Sequence, residues 1–136
     1  MSKKILPGNA FYSKSVSHNF PYIMEVAGQI GLDSRTGKLV EGIEQQTKQT
    51  LENIKNILSE SGWTCKDVIK VRIYLTNMKD YDKVNKIYIT YFSKDPPARV
   101  ALAVKALPFG ALIEIECSAA RNKVKPGLNE KRLGMS

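Results

Sequence analysis

Two apolar runs, Arg99 to Leu107 and Ala111 to Ala120, stand close together with only Pro108-Phe109-Gly110 between them. Both are rich in residues that favour strands, and so short a turn-forming link makes an antiparallel hairpin the economical prediction. Upstream, Val68 to Thr76 alternates. Ile69, Val71, Ile73 and Leu75 face one way, and Lys70, Arg72, Tyr74 and Thr76 the other, as in a half-buried strand. Thr47, Leu51, Ile54 and Leu58 recur at steps of a helical face, and Gly62 is placed to end that helix. Asp80 offers an N-cap to a second helix carrying Val84, Ile87, Tyr88 and Tyr91, which Pro96-Pro97 terminates. Pro21 to Leu32 reads as a strand with bends or close backbone approach at Gly28 and Gly31, and Asp33 to Lys38 as a loop or hairpin tip.

The order is therefore strand, helix, strand, helix, strand, strand, with an early hairpin left open as an addition. It predicts an α+β domain, one sheet with two helices packed on one face. A chain of 136 residues has no further helices for the other face, so a partner chain is the natural cover.

The net charge of +8 is unevenly spread. Residues 121–136 carry Arg121, Lys123, Lys125, Lys131 and Arg132 against Glu130, half of the whole excess. With Lys125-Pro126-Gly127 inside it, this stretch reads as a solvated basic extension over 122–136, following a single domain over 1–121. A basic surface favours polyanions without specifying nucleic acid, so RNA or DNA contact through this tail is a minor reading. No apolar run approaches the ~18 residues of a membrane-spanning helix. The start, Met1-Ser2-Lys3-Lys4-Ile5-Leu6-Pro7, lacks the apolar stretch of a secretory signal. Cytoplasmic placement without membrane contact is the expectation.

Strong catalytic motifs are missing. Gly31 and Gly37-Lys38 fail as a phosphate loop on spacing, and Leu39 stands where a magnesium-binding hydroxyl belongs. His18, the one histidine, lies in polar Ser17-His18-Asn19 and reads as a surface residue. Cys65 and Cys117 are too few and too distant for a zinc site or disulfide framework, and read as a surface thiol and a core residue. No metal is expected. What remains is charge within the closing pair. Arg99 opens Arg-Val-Ala-Leu-Ala-Val, where a guanidinium is costly unless paired or aimed at a ligand. Glu114 and Glu116 alternate with Ile113 and Ile115 and share one face. Two readings stand side by side: an Arg–Glu ion pair between strands or subunits, or a fork for a substrate carboxylate with a glutamate aiming a water.

At this point the sequence resembles the reactive-intermediate imine/enamine deaminases, the RidA-like family. The carrying residues are Pro97-Ala98-Arg99-Val100-Ala101, Leu107-Pro108 with Gly110-Ala111, and Ile113-Glu114-Ile115-Glu116. Supporting blocks are Tyr12-Ser13, Ala27-Gly28-Gln29-Ile30, Gln49 to Ile54, and Val84-Asn85 with Tyr88 and Phe92, so the likeness spans residues 12 to about 121. It implies a chorismate-mutase-like α+β fold assembled as a homotrimer, with ligand sites between subunits. It also implies hydrolysis of 2-aminoacrylate and related 2-imino acids to 2-oxo acids and ammonia, without cofactor. By the same resemblance Arg99 grips the substrate carboxylate and Glu114 orients the water. Tyr12, Gly28 (through its backbone), Asn85 and Ala101 line the substrate, and Glu116 is structural. The chain departs from the family pattern at Ala101, where many members have cysteine. It also departs at Ala27, where many have serine, and at Phe11, where proline is usual. A non-catalytic carboxylate-binding protein and an RNA-binding or ribonuclease-like protein are the competing readings.

Overall fold

The computed structural model describes residues 2–124. Lys3–Leu6 (β1) and Ser15–His18 (β2) pair antiparallel as a separate ribbon that the sequence pattern does not announce, since four residues hold too little alternation to read. The main sheet consists of Tyr22–Gln29 (β3), Val68–Leu75 (β4), Ala98–Ala103 (β5) and Ile113–Arg121 (β6) in the order β3-β6-β4-β5. Helices Ile43–Glu60 (α1) and Tyr81–Tyr91 (α2) carry the chain from β3 to β4 and from β4 to β5. β4 and β5 are parallel, and parallel neighbours need such a crossover; the other pairings are antiparallel. The result is the predicted α+β architecture with two helices over a mixed sheet.

The predicted hairpin is overturned. β5 and β6 are not neighbours, because β4 lies between them. β5 ends with Ala103 beside Leu75 and β6 begins with Ile113 beside the same Leu75, so the chain steps over the end of β4. Pro108–Gly110 makes that step as a 3₁₀ turn with Phe109 and Gly110 at φ of 60° and 71°. The physical reason lies in β6 itself, which is buried on both faces from Cys117 to Ala120. A strand with two buried faces belongs inside a sheet, where both its edges find hydrogen-bond partners.

Elsewhere the periodicities hold, with local corrections. Thr47, Leu51, Ile54 and Leu58 are fully buried, and Gly62 takes φ 77° while its N–H and that of Trp63 close the last turn of α1. The start of β4 bulges between Val68 and Lys70, so Val68 rather than Ile69 joins Val71, Ile73 and Leu75 in the core. Asp80 stands at the N-cap of α2 but makes no side-chain capping bond. Asn77 caps instead, accepting the Lys79 N–H at 2.9 Å at the head of a 3₁₀ turn that runs into α2. That helix stops at Tyr91, ahead of the prolines. The 33–38 segment is the expected tip, closed by Asp33 N–H to Lys38 O and a bridge between Leu32 and Leu39. His18 is half-buried, its Nδ1 accepting the Phe20 N–H. Cys65 is half-buried rather than a surface thiol, and Cys117 is in the core.

Both helices pack Leu51, Ile54, Leu58, Val84 and Tyr88 against Val71, Ile73, Leu75, Ile113 and Ile115. The opposite sheet face carries Arg72, Tyr74, Glu114, Glu116 and Ser118, together with Ile23, Val100 and Leu102 at 56%, 39% and 40% exposure. Glu116 accepts the Tyr74 hydroxyl and lies 4.0 Å from Arg72, and Ser118 donates to Glu25. No helix among the described residues is long and apolar enough to cross a membrane. The expected 122–136 extension lies, from residue 125 onward, outside the described residues.

Candidate functional site

Arg99 pairs with Val71, so its side chain enters the helix-covered face of the sheet. Nη2 donates to Tyr81 Oη at 2.9 Å and to Asn85 Oδ1 at 2.7 Å. The guanidinium lies 4.7 Å from the ring centre of Tyr88, 5.5 Å from that of Tyr81 and 5.8 Å from that of Phe11. Among the described residues it forms no ion pair, so the Arg–Glu pair within one chain is excluded. Neutral acceptors and ring quadrupoles are what compensate its lost hydration.

Around that cation three buried groups lack partners among the described residues: Arg99 Nη1, Asn85 Nδ2 and Tyr88 Oη. Burial pushes the Tyr88 phenol far above its ordinary range, so it stays protonated and able to donate. Folded proteins leave few buried polar atoms unsatisfied, and each asks for a reason. All three can donate, and the partner such donors take is an acceptor, ideally an anionic one.

Asn85 thus touches Arg99 directly. Tyr81, Asn85 and Tyr88 follow one another at helical steps of four and three on α2, a polar stripe through which Tyr81 could have been found. Ala101 lies two residues past Arg99 on the same face, packed against the core. Within one chain Tyr12 makes local contacts. It sits against Gly8 and bonds Asn9, while its neighbours reach the site: Phe11 by its ring, and Ser13 by bonds to Pro96 and Pro97 beside β5.

Glu114 pairs with Tyr74 on the other face of the sheet. The register between β3 and β6 slips between Val26 and Gln29, and there Gly28 meets Glu114: a Cβ on Gly28 would lie 2.9 Å from its Cδ and Oε2. The two line a cleft of about 240 Å³ with Gln29, Asn53, Pro108 and Phe109. Asn53 braces its wall by donating to Ile30 O and Leu32 O at 3.2 and 2.9 Å. Phe109 stands 80% exposed at the rim. Within one chain, then, Arg99 and Glu114 occupy opposite faces of the sheet, and the structure does not bring them together.

The Gly28 contact carries a test. Gly28→Ala should fold normally, because the obstructing atoms are the end of a flexible side chain, but it must displace the carboxylate. Shifts of about 1 Å in a reacting group cost up to about a hundredfold. Turnover at least about tenfold lower with an unchanged melting temperature is expected, and unchanged turnover would remove Glu114's position from the chemistry.

Among the described residues no cluster of His, Cys, Asp and Glu is suited to a metal. Burial pushes the Cys117 thiol up to about 12, which leaves it inert as a nucleophile.

Residues 3–121 match the family model described as Endoribonuclease L-PSP. A RutC family protein of Pyrococcus horikoshii is 49% identical over 110 residues, covering 79% of this chain and 85% of its own. The 2-iminobutanoate/2-iminopropanoate deaminase of Mus musculus is 42% identical over 97 residues, covering 71% and 72%. Among solved structures, RidA from an Antarctic Psychrobacter superposes with a TM-score of 0.72 at 34% identity, over 87% of this chain and 94% of that one.

Proposed function

The chain belongs to the Endoribonuclease L-PSP family of RidA-like proteins, and from that membership we propose that it hydrolyses 2-imino and enamine acids of the 2-aminoacrylate type to 2-oxo acids and ammonia. The observation that carries this reading is the set of three buried, unpartnered donors around an arginine with no carboxylate partner. A substrate carboxylate fills that vacancy in hydrogen bonding, with Arg99 Nη1 as the charged donor and Asn85 and Tyr88 beside it.

Glu114 acts from the other side. Its carboxylate accepts a proton from a water whose oxygen attacks C2 of the imine. The C=N electron pair moves to nitrogen, and nitrogen takes up the proton. The resulting carbinolamine passes its hydroxyl proton through Glu114 to the amine, the C2–N bond breaks with its electron pair leaving on ammonia, and the O–H pair forms the ketone C=O. An imine is already electrophilic, so fixed geometry and oriented dipoles are enough, and no cofactor enters the scheme.

Because Arg99 and Glu114 lie on opposite faces of their own sheet, the Glu114 that serves one Arg99 comes from a neighbouring copy. The uncovered face with Ile23, Val100 and Leu102, and Phe109 at the cleft rim, supports such packing, and we take the assembly to be a homotrimer working in the cytosol. In a dehydratase-coupled assay, added protein should accelerate 2-oxo acid release. Thermal stabilisation by 2-oxo acids with no acceleration would leave only a carboxylate-binding function.

A further inference from the structure

A second groove is lined by residues of α1 and α2 and includes none of Tyr81, Asn85, Tyr88, Arg99, Gly28 or Glu114. α1 and α2 splay around a groove of about 790 Å³, within the usual range for small-molecule sites. Its α1 wall is the stripe Lys48, Glu52, Lys55, Ser59, about 16 Å long at the rise of a helix. Lys86 faces it from α2 and Lys66 from the segment after α1, while Trp63, Ile87 and Tyr91 supply the apolar lining. None of the four ammonium groups is in an ion pair with a described residue. The one carboxylate, Glu52, is engaged by the Tyr91 hydroxyl at 2.6 Å. Trp63 is buried to 4% exposure, and its indole N–H has no partner among the described residues.

An apolar trough edged by unneutralised cations selects an occupant by charge. The chain's own candidates are of the wrong sign: another copy carries +8, and residues 125–136 hold Lys125, Lys131 and Arg132 against Glu130. We propose that this groove binds a small organic anion with a flat aromatic body, its acid oxygens set between Lys55 and Lys86 and its ring along Ile87 and Tyr91, over the edge of the buried Trp63. The lysines are exposed, so the attraction is screened by salt, while the apolar lining supplies a part that salt does not remove.

Trp63 is the only tryptophan in the chain, which gives the site its own reporter. Titrating the full-length protein with anilinonaphthalene sulfonate at low salt should give saturable energy transfer from tryptophan to dye. Lys55→Gln combined with Lys86→Gln should weaken the dissociation constant about tenfold. The pair Lys38→Gln and Lys105→Gln removes the same charge away from the groove and should leave it unchanged. Naphthalene sulfonate should displace the dye at far lower concentration than inorganic phosphate. Absence of saturable transfer, equal weakening by both charge pairs in variants with wild-type melting temperatures, or equal displacement by the two competitors would each overturn the proposal.

Discussion

Replacing Arg99 with methionine is expected to abolish imine hydrolysis while changing stability by no more than about 1 kcal/mol. The two effects separate because the guanidinium serves its own fold poorly. It is half-buried, has no carboxylate partner among the described residues and leaves Nη1 unsatisfied. Removing a cation held this way recovers desolvation cost, and an unbranched apolar side chain of similar length can lie on the Tyr88 ring in its place. Against that gain stand two lost hydrogen bonds, to Tyr81 and to the buried Asn85, each worth about 1–3 kcal/mol when its partner is orphaned. Near-cancellation follows. Activity has no such compensation: losing the charged partner of a desolvated carboxylate costs about 2–5 kcal/mol, or roughly 30-fold to 5,000-fold in kcat/KM. Arg99→Lys keeps the charge without the planar fork and should recover only a minor part of the rate. Urea unfolding together with the coupled assay reads both quantities. A variant several kcal/mol less stable would make Arg99 a structural residue, and retained turnover would end its catalytic role.

How far the sequence speaks for itself differs between local and long-range features. α1 and β4 were legible because Leu51, Ile54 and Leu58, or Val71, Ile73 and Leu75, repeat at the period of their element, and burial enforces that period. The place of β6 was not. Pro108–Gly110 makes its nearest neighbour in sequence look like its neighbour in space, whereas sheet order is decided by which strand has two faces to bury. Ile113 to Ala120 did contain that signal in Cys117-Ser118-Ala119-Ala120, whose small residues are hidden on both faces. The site follows the same division. The resemblance picks out Arg99, Asn85, Gly28 and Glu114 one by one, whereas the meeting of Arg99 with Asn85 and of Gly28 with Glu114 is visible only in the structure. Their separation by the sheet was not legible either, since it depends on strand order. Phe11 was missed as a neighbour of the guanidinium, because no sequence signal places its ring there.

That separation gives the second large effect. Arg99→Ala and Glu114→Gln chains should each be inactive alone, yet co-assembled from equal amounts they should regain about one quarter of wild-type activity. The reasoning is combinatorial. If each site takes Arg99 from one chain and Glu114 from the next, a site is intact only when its arginine comes from a Glu114→Gln chain and its glutamate from an Arg99→Ala chain. Random assembly meets each condition half the time. Were both residues drawn from the same chain, no arrangement would contain an intact site, and the mixture would stay as inactive as its components. The recovery requires exchange, so the chains should be co-expressed or refolded together, with tagged subunits proving the mixed assemblies. A charge placed on the exposed sheet face, Leu102→Asp, sets the complementary condition. It should yield single chains in which Arg99 and Glu114 are both present and hydrolysis is nonetheless lost. Activity in those single chains, or none in proven mixtures, would show that one protomer builds the site alone, which the β4 strand between Arg99 and Glu114 argues against.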